Sequence, residues 1–293
     1  MKDQNKPKII IVLGQTSTGK SDLAVKIAKS IKLPMCGEII SADSRQIYKG
    51  LDIGSGKITK KEMKGVPHHL LSIALPEKRF SVAEYKALAE KCIVEILKRG
   101  NVPIICGGTG FYIDAITKGI IFPEVKPNSQ LRKKLEKKSV VELFALLKIM
   151  DKKRARNIDK KNKRRIIRAI EIAEELGEVP SLKNEVSPYQ FIKIGILLKD
   201  EVLKKRIKRR LLLRIRKGMV VEVRNLNKSG ISWKRLEELG LEYKYVALYL
   251  QKKISKKEMI KSLQKEIFKF AKRQMTWFKR DDKILWIKEN NSV

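Results

Sequence analysis

Toward the N-terminus, short apolar runs alternate with segments whose apolar residues recur at helical spacing. The runs at 8–13, 38–41 and 102–106 are continuous, which is typical of strands buried on both faces of a parallel sheet. The segments 20–30 and 81–99 place their apolar residues three or four positions apart, as amphipathic helices do. Alternation of such strands and helices predicts an α/β fold, a doubly wound parallel sheet flanked by helices.

The rest of the chain is largely helical in pattern. Residues 130–176 are dense in Lys and Arg and carry no strand pattern, whereas 192–198 is an apolar run that returns to the sheet. Five helices and a short last strand are predicted after that run, at 201–217, 219–227, 232–239, 241–251, 256–279 and 284–287. The simplest organisation is a core of residues 1–123 and 189–293 with a helical C-terminal part, and a mostly helical insertion at 124–188.

Charge is distributed unevenly along the chain. The 293 residues contain 67 Lys and Arg against 32 Asp and Glu, a formal net charge of +35. Residues 1–122 hold 20 basic and 11 acidic residues, so the remaining 47 and 21 give residues 123–293 a net charge of +26. A Lys-rich compositional bias would load both parts alike. The asymmetry therefore favours a polyanionic partner such as nucleic acid, with compositional bias adding to it.

Cysteine usage and hydropathy exclude several classes of protein. Cys36, Cys92 and Cys106 are scattered and form no CxxC pair, and only His68 and His69 are available to join them around a metal. Neither a disulfide framework nor a zinc site is expected, and the adjacent histidines are more typical of a structural role. No apolar stretch approaches 18 residues, so no membrane span is expected. We expect a cytoplasmic protein with reduced thiols.

The segment GQTSTGKS at 14–21 matches the phosphate-binding pattern G-x-x-x-x-G-K-[ST] in full, and we call it the P-loop. It follows a predicted strand and precedes a predicted helix, which is the context that the pattern requires. Its backbone N–H groups surround a phosphate, Lys20 adds a point charge, and Ser21 is able to ligand Mg²⁺. The residues predicted to bind a di- or triphosphate are Gly14, Gln15, Thr16, Ser17, Thr18, Gly19, Lys20 and Ser21.

Two other polar segments follow predicted strands of the same sheet. Asp43 ends the run EIISAD, and Gly107-Gly108-Thr109-Gly110 follows the run at 102–106. The carboxyl ends of parallel strands converge on one ligand crevice, so both segments are expected near the P-loop. Asp43 is then either a metal ligand or a general base, and Thr109 directs a hydroxyl into the crevice.

Several motifs occur in order along nearly the whole chain. They include GQTSTGKSDLA, EIISADSRQIYKGLDIGSGK, GVPHHLLSI, FSVAEYK, GGTGFYIDAI, KRRIIRAIEI, RIKRR, LGLEYKYVALYL and KRQMTWFKRDDKILWI. Together they resemble the tRNA dimethylallyltransferases, also called isopentenyl-tRNA transferases. The segments 43–57 and 273–278 are far more specific to this resemblance than the P-loop is.

This resemblance implies a particular reaction. A dimethylallyl group is transferred from dimethylallyl diphosphate to the exocyclic amine of the adenosine next to the anticodon on its 3′ side. The substrates implied are tRNAs that read codons beginning with U, bound through the anticodon stem-loop, and diphosphate is released. The P-loop then holds a diphosphate rather than ATP, Mg²⁺ neutralises its charge, and the enzyme is expected to act as a monomer.

The resemblance also implies roles for individual residues. Asp43 is the general base, Thr109 contacts both the reacting diphosphate and the tRNA, and Arg210 clamps the diphosphate, although Arg206 and Arg209 lie beside it. The residues implied to contact tRNA are Asp43, Ser44, Arg45, Gln46, Thr109, Arg132, Arg164, Arg165, Ile166, Ile167 and Arg168.

Three departures from the family's usual pattern stand near these residues. Gln15 replaces a proline, with little effect expected; Arg214 stands where methionine is common; and LGLEY occupies 239–243 in place of a more usual IGY pattern.

Three other functions are compatible with a P-loop. An adenylate isopentenyltransferase modifies free adenine nucleotides, a P-loop kinase phosphorylates a small metabolite, and an RNA-binding ATPase works as a switch without chemistry on RNA. The first does not need a helical insertion or so basic a second half, and the second needs ATP and an acceptor pocket. The charge asymmetry therefore favours the tRNA-modifying function.

Overall fold

The computed structural model of the chain describes residues 6–32 and 34–288. The strands in chain order are β1 (Lys8–Gly14), β2 (Gly37–Ala42), β3 (His68–His69), β4 (Val102–Gly107), β5 (Ile120–Ile121), β6 (Lys183–Asn184), β7 (Gln190–Leu197) and β8 (Ile284–Lys288). The helices in chain order are α1 (Lys20–Ser30), α2 (Lys60–Met63), α3 (Val82–Lys98), α4 (Gly110–Thr117), α5 (Ser129–Glu136), α6 (Val140–Met150), α7 (Lys152–Arg156), α8 (Lys163–Leu176), α9 (Asp200–Arg216), α10 (Met219–Lys228), α11 (Trp233–Glu238), α12 (Leu241–Leu250) and α13 (Lys256–Phe278). None of these helices is both long enough and apolar enough to span a membrane, as judged over the described ranges.

Six strands form one parallel sheet in the order β3-β2-β4-β1-β7-β8. From β1 the chain first builds the side of the sheet that contains β2, β3 and β4, and later the side that contains β7 and β8. The direction of winding therefore changes beside β1, and an open α/β sheet binds ligands at the carboxyl ends of the strands at such a point. The predicted parallel sheet flanked by helices is confirmed, and β1 leads directly into the P-loop.

Both faces of the sheet are covered by helices. Ile9, Ile11 and Leu13 of β1 belong to the large core cluster that includes residues of α3, α9, α12 and α13. Ile10 and Val12 pack in a separate cluster with residues of α1. Successive side chains of a strand point to opposite faces, so a strand covered on both sides is apolar throughout. This burial explains the continuous apolar runs of the sequence.

A buried carboxylate joins β2 to the neighbouring elements. Glu38 is 5% exposed, and it accepts hydrogen bonds from Arg99 Nη2 at 2.8 Å and Asn101 Nδ2 at 2.7 Å, with His69 Nε2 also at 2.7 Å. Burial alone would raise the pKa of Glu38, but the hydrogen bonds from Arg99, Asn101 and His69 outweigh it and lower this pKa to about 2. His69 thus takes part in a structural network, and His68 contacts the carbonyl oxygen of Val66 at 2.8 Å.

The substitution Glu38→Gln is expected to lower the free energy of unfolding at pH 7 by about 2 kcal/mol, because it weakens hydrogen bonds to a charged group. The folded pKa lies below the unfolded value of 4.5, so the carboxylate stabilises the fold fully above that pH and loses this effect as pH falls toward 2. Urea unfolding at pH 7 and at about pH 3.5 tests this, and the two proteins should differ less at the lower pH. Glu90→Gln is the control, since Glu90 is 43% exposed in its pair with Lys86. An equal difference at both pH values would contradict the prediction.

Residues 120–185 form a compact unit separate from the unit that holds the sheet. Its core combines α5, α6, α7 and α8 around Leu143, Leu147 and Ile170, and Ile120 pairs with Asn184 in the antiparallel pair of β5 and β6. The division of the chain falls a few residues before the predicted boundaries of 124 and 188. The β5–β6 pair was not predicted, because two-residue strands carry no periodic pattern. The one-turn helix α2, which Thr59 and Glu62 cap reciprocally, is likewise too short to carry a periodic pattern.

Candidate active site

The P-loop connects the end of β1 to the start of α1. Thr18 Oγ1 and Lys20 Nζ both donate to the carbonyl oxygen of Gln15, at 2.9 and 3.0 Å. Ser17 has a φ of 66°, in the left-handed region that a tight curl of the backbone requires. No side chain in the described part of the molecule caps α1 at its N-cap residue Gly19. The first N–H groups of this helix are therefore open to an anionic ligand.

Lys20 lies among titratable groups from three other segments of the chain: β4, the end of β2 and helix α9. Burial lowers the pKa of Lys20. The nearby Cys106 and Asp43 raise this pKa, whereas Arg210 and Arg214 lower it. Burial raises the pKa of the Cys106 thiol to about 11, so this thiol is neutral at pH 7. Lys20, Asp43 and the two arginines thus gather into one electrostatically coupled group around the P-loop. A cationic group of this kind matches the charge of a diphosphate.

Asp43 and Thr109 follow the neighbouring strands β2 and β4, as the sequence predicted. Asp43 Oδ1 accepts hydrogen bonds from the backbone N–H groups of Arg45 at 2.8 Å and Gln46 at 3.3 Å. Thr109 Oγ1 accepts one from the N–H of Ser44 at 3.0 Å. These bonds hold the carboxylate at a fixed place at the sheet edge. All five residues are partly exposed, so the carboxylate remains accessible to a substrate.

Helix α9 directs a row of arginines toward the P-loop. Arg206, Arg210 and Arg214 are spaced four residues apart and therefore lie on one side of the helix. Arg206 Nη1 lies 3.4 Å from the carbonyl oxygen of Thr18. Arg210 is accessible to solvent yet surrounded by protein, and this desolvation, together with the charge of Arg214, lowers the pKa of Arg210 to about 10. Arg210 thus remains charged at pH 7.

Arg214 also fixes a loop beside the P-loop. Its Nη1 lies 3.1 Å from Glu242 Oε1 and 3.2 Å from the carbonyl oxygen of Gly54. A Cβ atom on Gly56 would lie 2.0 Å from Arg214 Nη2, so any other residue there would displace this guanidinium. The two departures at Arg214 and 239–243 are therefore linked, because Glu242 belongs to LGLEY. Arg214 adds positive charge at the site, and Glu242 holds it in place.

The substitution Arg214→Met is expected to weaken binding of inorganic pyrophosphate about fivefold at low salt, because one nearby positive charge is removed. The difference should shrink as salt is added. Isothermal titration calorimetry of both proteins measures it, with Arg209→Met as the control on an exposed position of the same helix. Equal losses in both variants would contradict a specific effect of Arg214.

The loop at 51–57 has a second anchor that sequence reasoning missed. Glu222 accepts hydrogen bonds from the backbone N–H groups of Asp52, Ile53 and Gly54 at 3.0, 2.6 and 2.9 Å. Tyr243 donates its hydroxyl to the same carboxylate at 2.9 Å. No local sequence signal marks Glu222, since it lies 168 residues from Gly54.

The basic residues predicted in the insertion have different surroundings. Arg132 Nη2 lies 2.7 Å from the buried carboxylate of Glu171, and Arg168 pairs with the same group at 2.5 Å. Arg164 and Arg165 are exposed on α8. Arg132 and Arg168 thus share their charge with the buried Glu171. Arg164 and Arg165 present their charge on the surface of this unit.

The predicted contact of Ile166 and Ile167 with tRNA requires a correction. Their side chains are 0% and 6% exposed and belong to the core of the helical unit. Side chains buried in this way contribute to packing, not to an RNA-binding surface. The motif KRRIIRAIEI therefore combines surface arginines with core residues of the same helix.

The oxygen donors beside the P-loop fit Mg²⁺. No group of three or more His, Cys, Asp and Glu side chains is placed to hold a metal ion within the ranges that the structure describes. Mg²⁺ at phosphate sites, however, takes one or two protein ligands and completes its shell with phosphate oxygens and water. The Ser21 hydroxyl at the start of α1 is a ligand of that kind.

Comparison with known proteins identifies the family. The model of the IPP transferase family matches residues 46–281. The chain belongs to this family. A tRNA dimethylallyltransferase of Treponema denticola is 42% identical, over 97% of this chain and 96% of that protein. The structure of a tRNA isopentenylpyrophosphate transferase from Bacillus halodurans is 35% identical, over 97% of this chain and 90% of that one, with a TM-score of 0.72.

The fold of the IPP transferases extends to more distant proteins. A eukaryotic dimethylallyltransferase, solved acting on tRNA, has a TM-score of 0.82 at 22% identity, over 96% of this chain and 74% of that one. The resemblance seen in the sequence is confirmed, and so is the fold. The IPP transferases named here are enzymes of tRNA modification, so the main functional prediction holds over an adenylate isopentenyltransferase, a small-molecule kinase or an ATPase switch.

Proposed function

We propose that this IPP transferase moves a dimethylallyl group from dimethylallyl diphosphate to the exocyclic amine of the adenosine 3′ to the anticodon, in tRNAs that read codons beginning with U. The observation that carries the proposal is that Lys20 of the P-loop lies near both the arginines of α9 and the Asp43 carboxylate. The first groups stabilise a departing anion, and the carboxylate accepts a proton from an incoming amine. An allylic transfer needs both at once.

The leaving-group side consists of fixed positive charges and dipoles. As the carbon–oxygen bond of the donor breaks, negative charge grows on the diphosphate. The N–H groups at the start of α1, Lys20 and Arg210 stabilise this charge, and Thr109 contacts the diphosphate. Mg²⁺, when bound by Ser21 and the phosphate oxygens, supplies further neutralisation of charge.

The acceptor side consists of Asp43 and its neighbours. The adenosine amine is a weak nucleophile inside an RNA loop, so the base is extruded from its stack to reach the crevice. Asp43 removes the proton of the amine as the new carbon–nitrogen bond forms. Its Oδ1 is held by the Arg45 and Gln46 N–H groups, which orients the carboxylate. Ser44, Arg45, Gln46 and Thr109 contact the extruded nucleotide.

The basic second half of the chain binds the RNA phosphates. Residues 123–293 carry a net charge of +26, which supports binding of the anticodon stem-loop. Arg164 and Arg165 are exposed for such contacts, and Arg132 and Arg168 extend the same positive region. One chain supplies the P-loop, the base and the arginines, which supports action as a monomer, and the tRNA substrate supports a place in the cytoplasm.

The deciding experiment incubates the protein and Mg²⁺ with radiolabelled dimethylallyl diphosphate and an anticodon stem-loop RNA that has adenosine 3′ to the anticodon. We expect label in this RNA and none in the same RNA with guanosine at that position. AMP, ADP and ATP are offered in parallel reactions. Label in the free nucleotides alone would support an adenylate isopentenyltransferase instead.

A further inference from the structure

The side chain of Gln274 on α13 joins the two loops of the candidate site. Its Oε1 accepts a hydrogen bond from the backbone N–H of Thr16 at 2.8 Å, and its Nε2 donates to the carbonyl oxygen of Gly108 at 2.8 Å. The side chain is buried, 7% exposed. One amide thus connects the P-loop after β1 with the loop after β4.

The same helix makes a second bond to the P-loop. Gln15 Nε2 donates to the carbonyl oxygen of Ala271 at 3.0 Å, one turn of α13 before Gln274. A proline at position 15 has no side-chain donor for this bond. Gln15 therefore anchors the P-loop to α13. The replacement of proline by glutamine has more effect than expected, because it adds a bond between the loop and the helix.

Gly108 is shaped to receive the Gln274 amide. A Cβ atom at this position would lie 2.3 Å from Gln274 Nε2, so any other residue would displace the side chain. The next residue, Thr109, accepts the hydrogen bond from Ser44, which follows Asp43. A continuous series of contacts thus runs from the P-loop through Gln274 to the segment that carries the carboxylate.

The contacts require the amide of a glutamine in particular. Thr16 presents a donor and Gly108 presents an acceptor, and an amide is able to satisfy both from one planar group. A carboxylate accepts but does not donate, and an aliphatic side chain does neither. Reacting groups tolerate little misplacement, since an error of about 1 Å costs roughly 100-fold in rate.

We propose that Gln274 is a positioning residue that sets the distance between the diphosphate cradle of the P-loop and the Asp43–Thr109 edge. This role rests on the proposed function, because it concerns the alignment of dimethylallyl diphosphate with the adenosine amine. Each side keeps its own binding groups without Gln274. Loss of the amide therefore lowers the rate of transfer much more than it weakens binding of the diphosphate or of the RNA.

The test compares Gln274→Leu with wild type in single-turnover transfer to the anticodon stem-loop RNA and in calorimetric binding of inorganic pyrophosphate. We expect the transfer rate to fall about 100-fold and the pyrophosphate Kd to change less than threefold. The control is Gln264→Leu, ten residues earlier on α13 and therefore about 15 Å away along the helix, which should transfer at the wild-type rate.

A second variant separates alignment from general stability of the fold. In Gln274→Glu a protonated carboxyl is able to donate to Gly108 again, whereas the carboxylate is not. The ratio of its transfer rate to the wild-type rate should therefore rise as pH falls. This profile also carries the test if Gln274→Leu does not fold.

The results separate the two proposals. An active wild type with an equally active Gln274→Leu, or with equal losses of rate and of pyrophosphate affinity, would overturn the positioning role alone. A flat ratio across pH for Gln274→Glu would do the same. A wild type that transfers nothing to the RNA would overturn the proposed function, and the positioning role with it.

Discussion

The substitution Asp43→Asn is expected to lower the single-turnover rate of prenyl transfer about 1,000-fold and to leave tRNA affinity nearly unchanged. Asparagine has the same shape, and its carbonyl oxygen still accepts the N–H groups of Arg45 and Gln46. It does not accept a proton from the amine, so the contribution of a general base is lost. Rapid-quench measurement of labelled RNA gives the rate, and filter binding gives the affinity.

The matched control is Asp22→Asn. Asp22 is an exposed carboxylate in the first turn of α1, so this substitution removes an equal charge close to the P-loop. We expect less than a threefold change in its rate. A rate for Asp43→Asn within tenfold of wild type would show that another group takes the proton.

The substitution Lys20→Ala is expected to weaken binding of dimethylallyl diphosphate and of inorganic pyrophosphate about 100-fold, equivalent to ~2.7 kcal/mol. A partly buried ammonium beside the P-loop amides makes charge-assisted bonds that solvent does not replace. Calorimetry with pyrophosphate measures the loss without requiring tRNA. Lys26→Ala, at an exposed position of the same helix, is the control and should bind as wild type does.

The pH dependence of this binding adds a second test. Burial lowers the pKa of Lys20 from its ordinary 10.5, so its charge is lost at a lower pH than that of an exposed lysine. Wild-type affinity should therefore fall as pH rises through this lowered pKa, and the difference from Lys20→Ala should shrink. Unchanged affinity in Lys20→Ala at neutral pH would remove the P-loop from the diphosphate site.

The elements of the core could be read from the sequence because their signals are local. Lys20–Ser30 begins and ends as the pattern predicted, and Val102–Gly107 and Met219–Lys228 differ from it by one residue. The periodic spacing of apolar residues and the continuous apolar runs depend only on residues that are close together in the sequence. The short pair Ile120–Ile121 and Lys183–Asn184 could not be predicted, since it forms only through pairing across more than 60 intervening residues.

The residues of the candidate site also fall into those marked by local sequence and those brought in from distant segments. The backbone of the P-loop follows from its own residues, and Asp43 and Thr109 follow from their places at the ends of parallel strands. The partners of these residues lie far away in the chain: Gln274 is 258 residues from Thr16, and Arg206 is 188 residues from Thr18. In α9 the recurrence of arginine every four residues is a local signal, since it places Arg206, Arg210 and Arg214 on one side of the helix.

By itself, the sequence determined the P-loop, the parallel sheet and, through motifs along the whole chain, the resemblance to the tRNA dimethylallyltransferases. Only the tertiary structure decided which residues surround the P-loop. It buried Ile166 and Ile167 in a core, coupled Arg214 to Glu242, and set Gln274 between two loops. Short-range conformation is encoded by adjacent residues, whereas contacts between distant segments depend on how the packed helices bring those segments together.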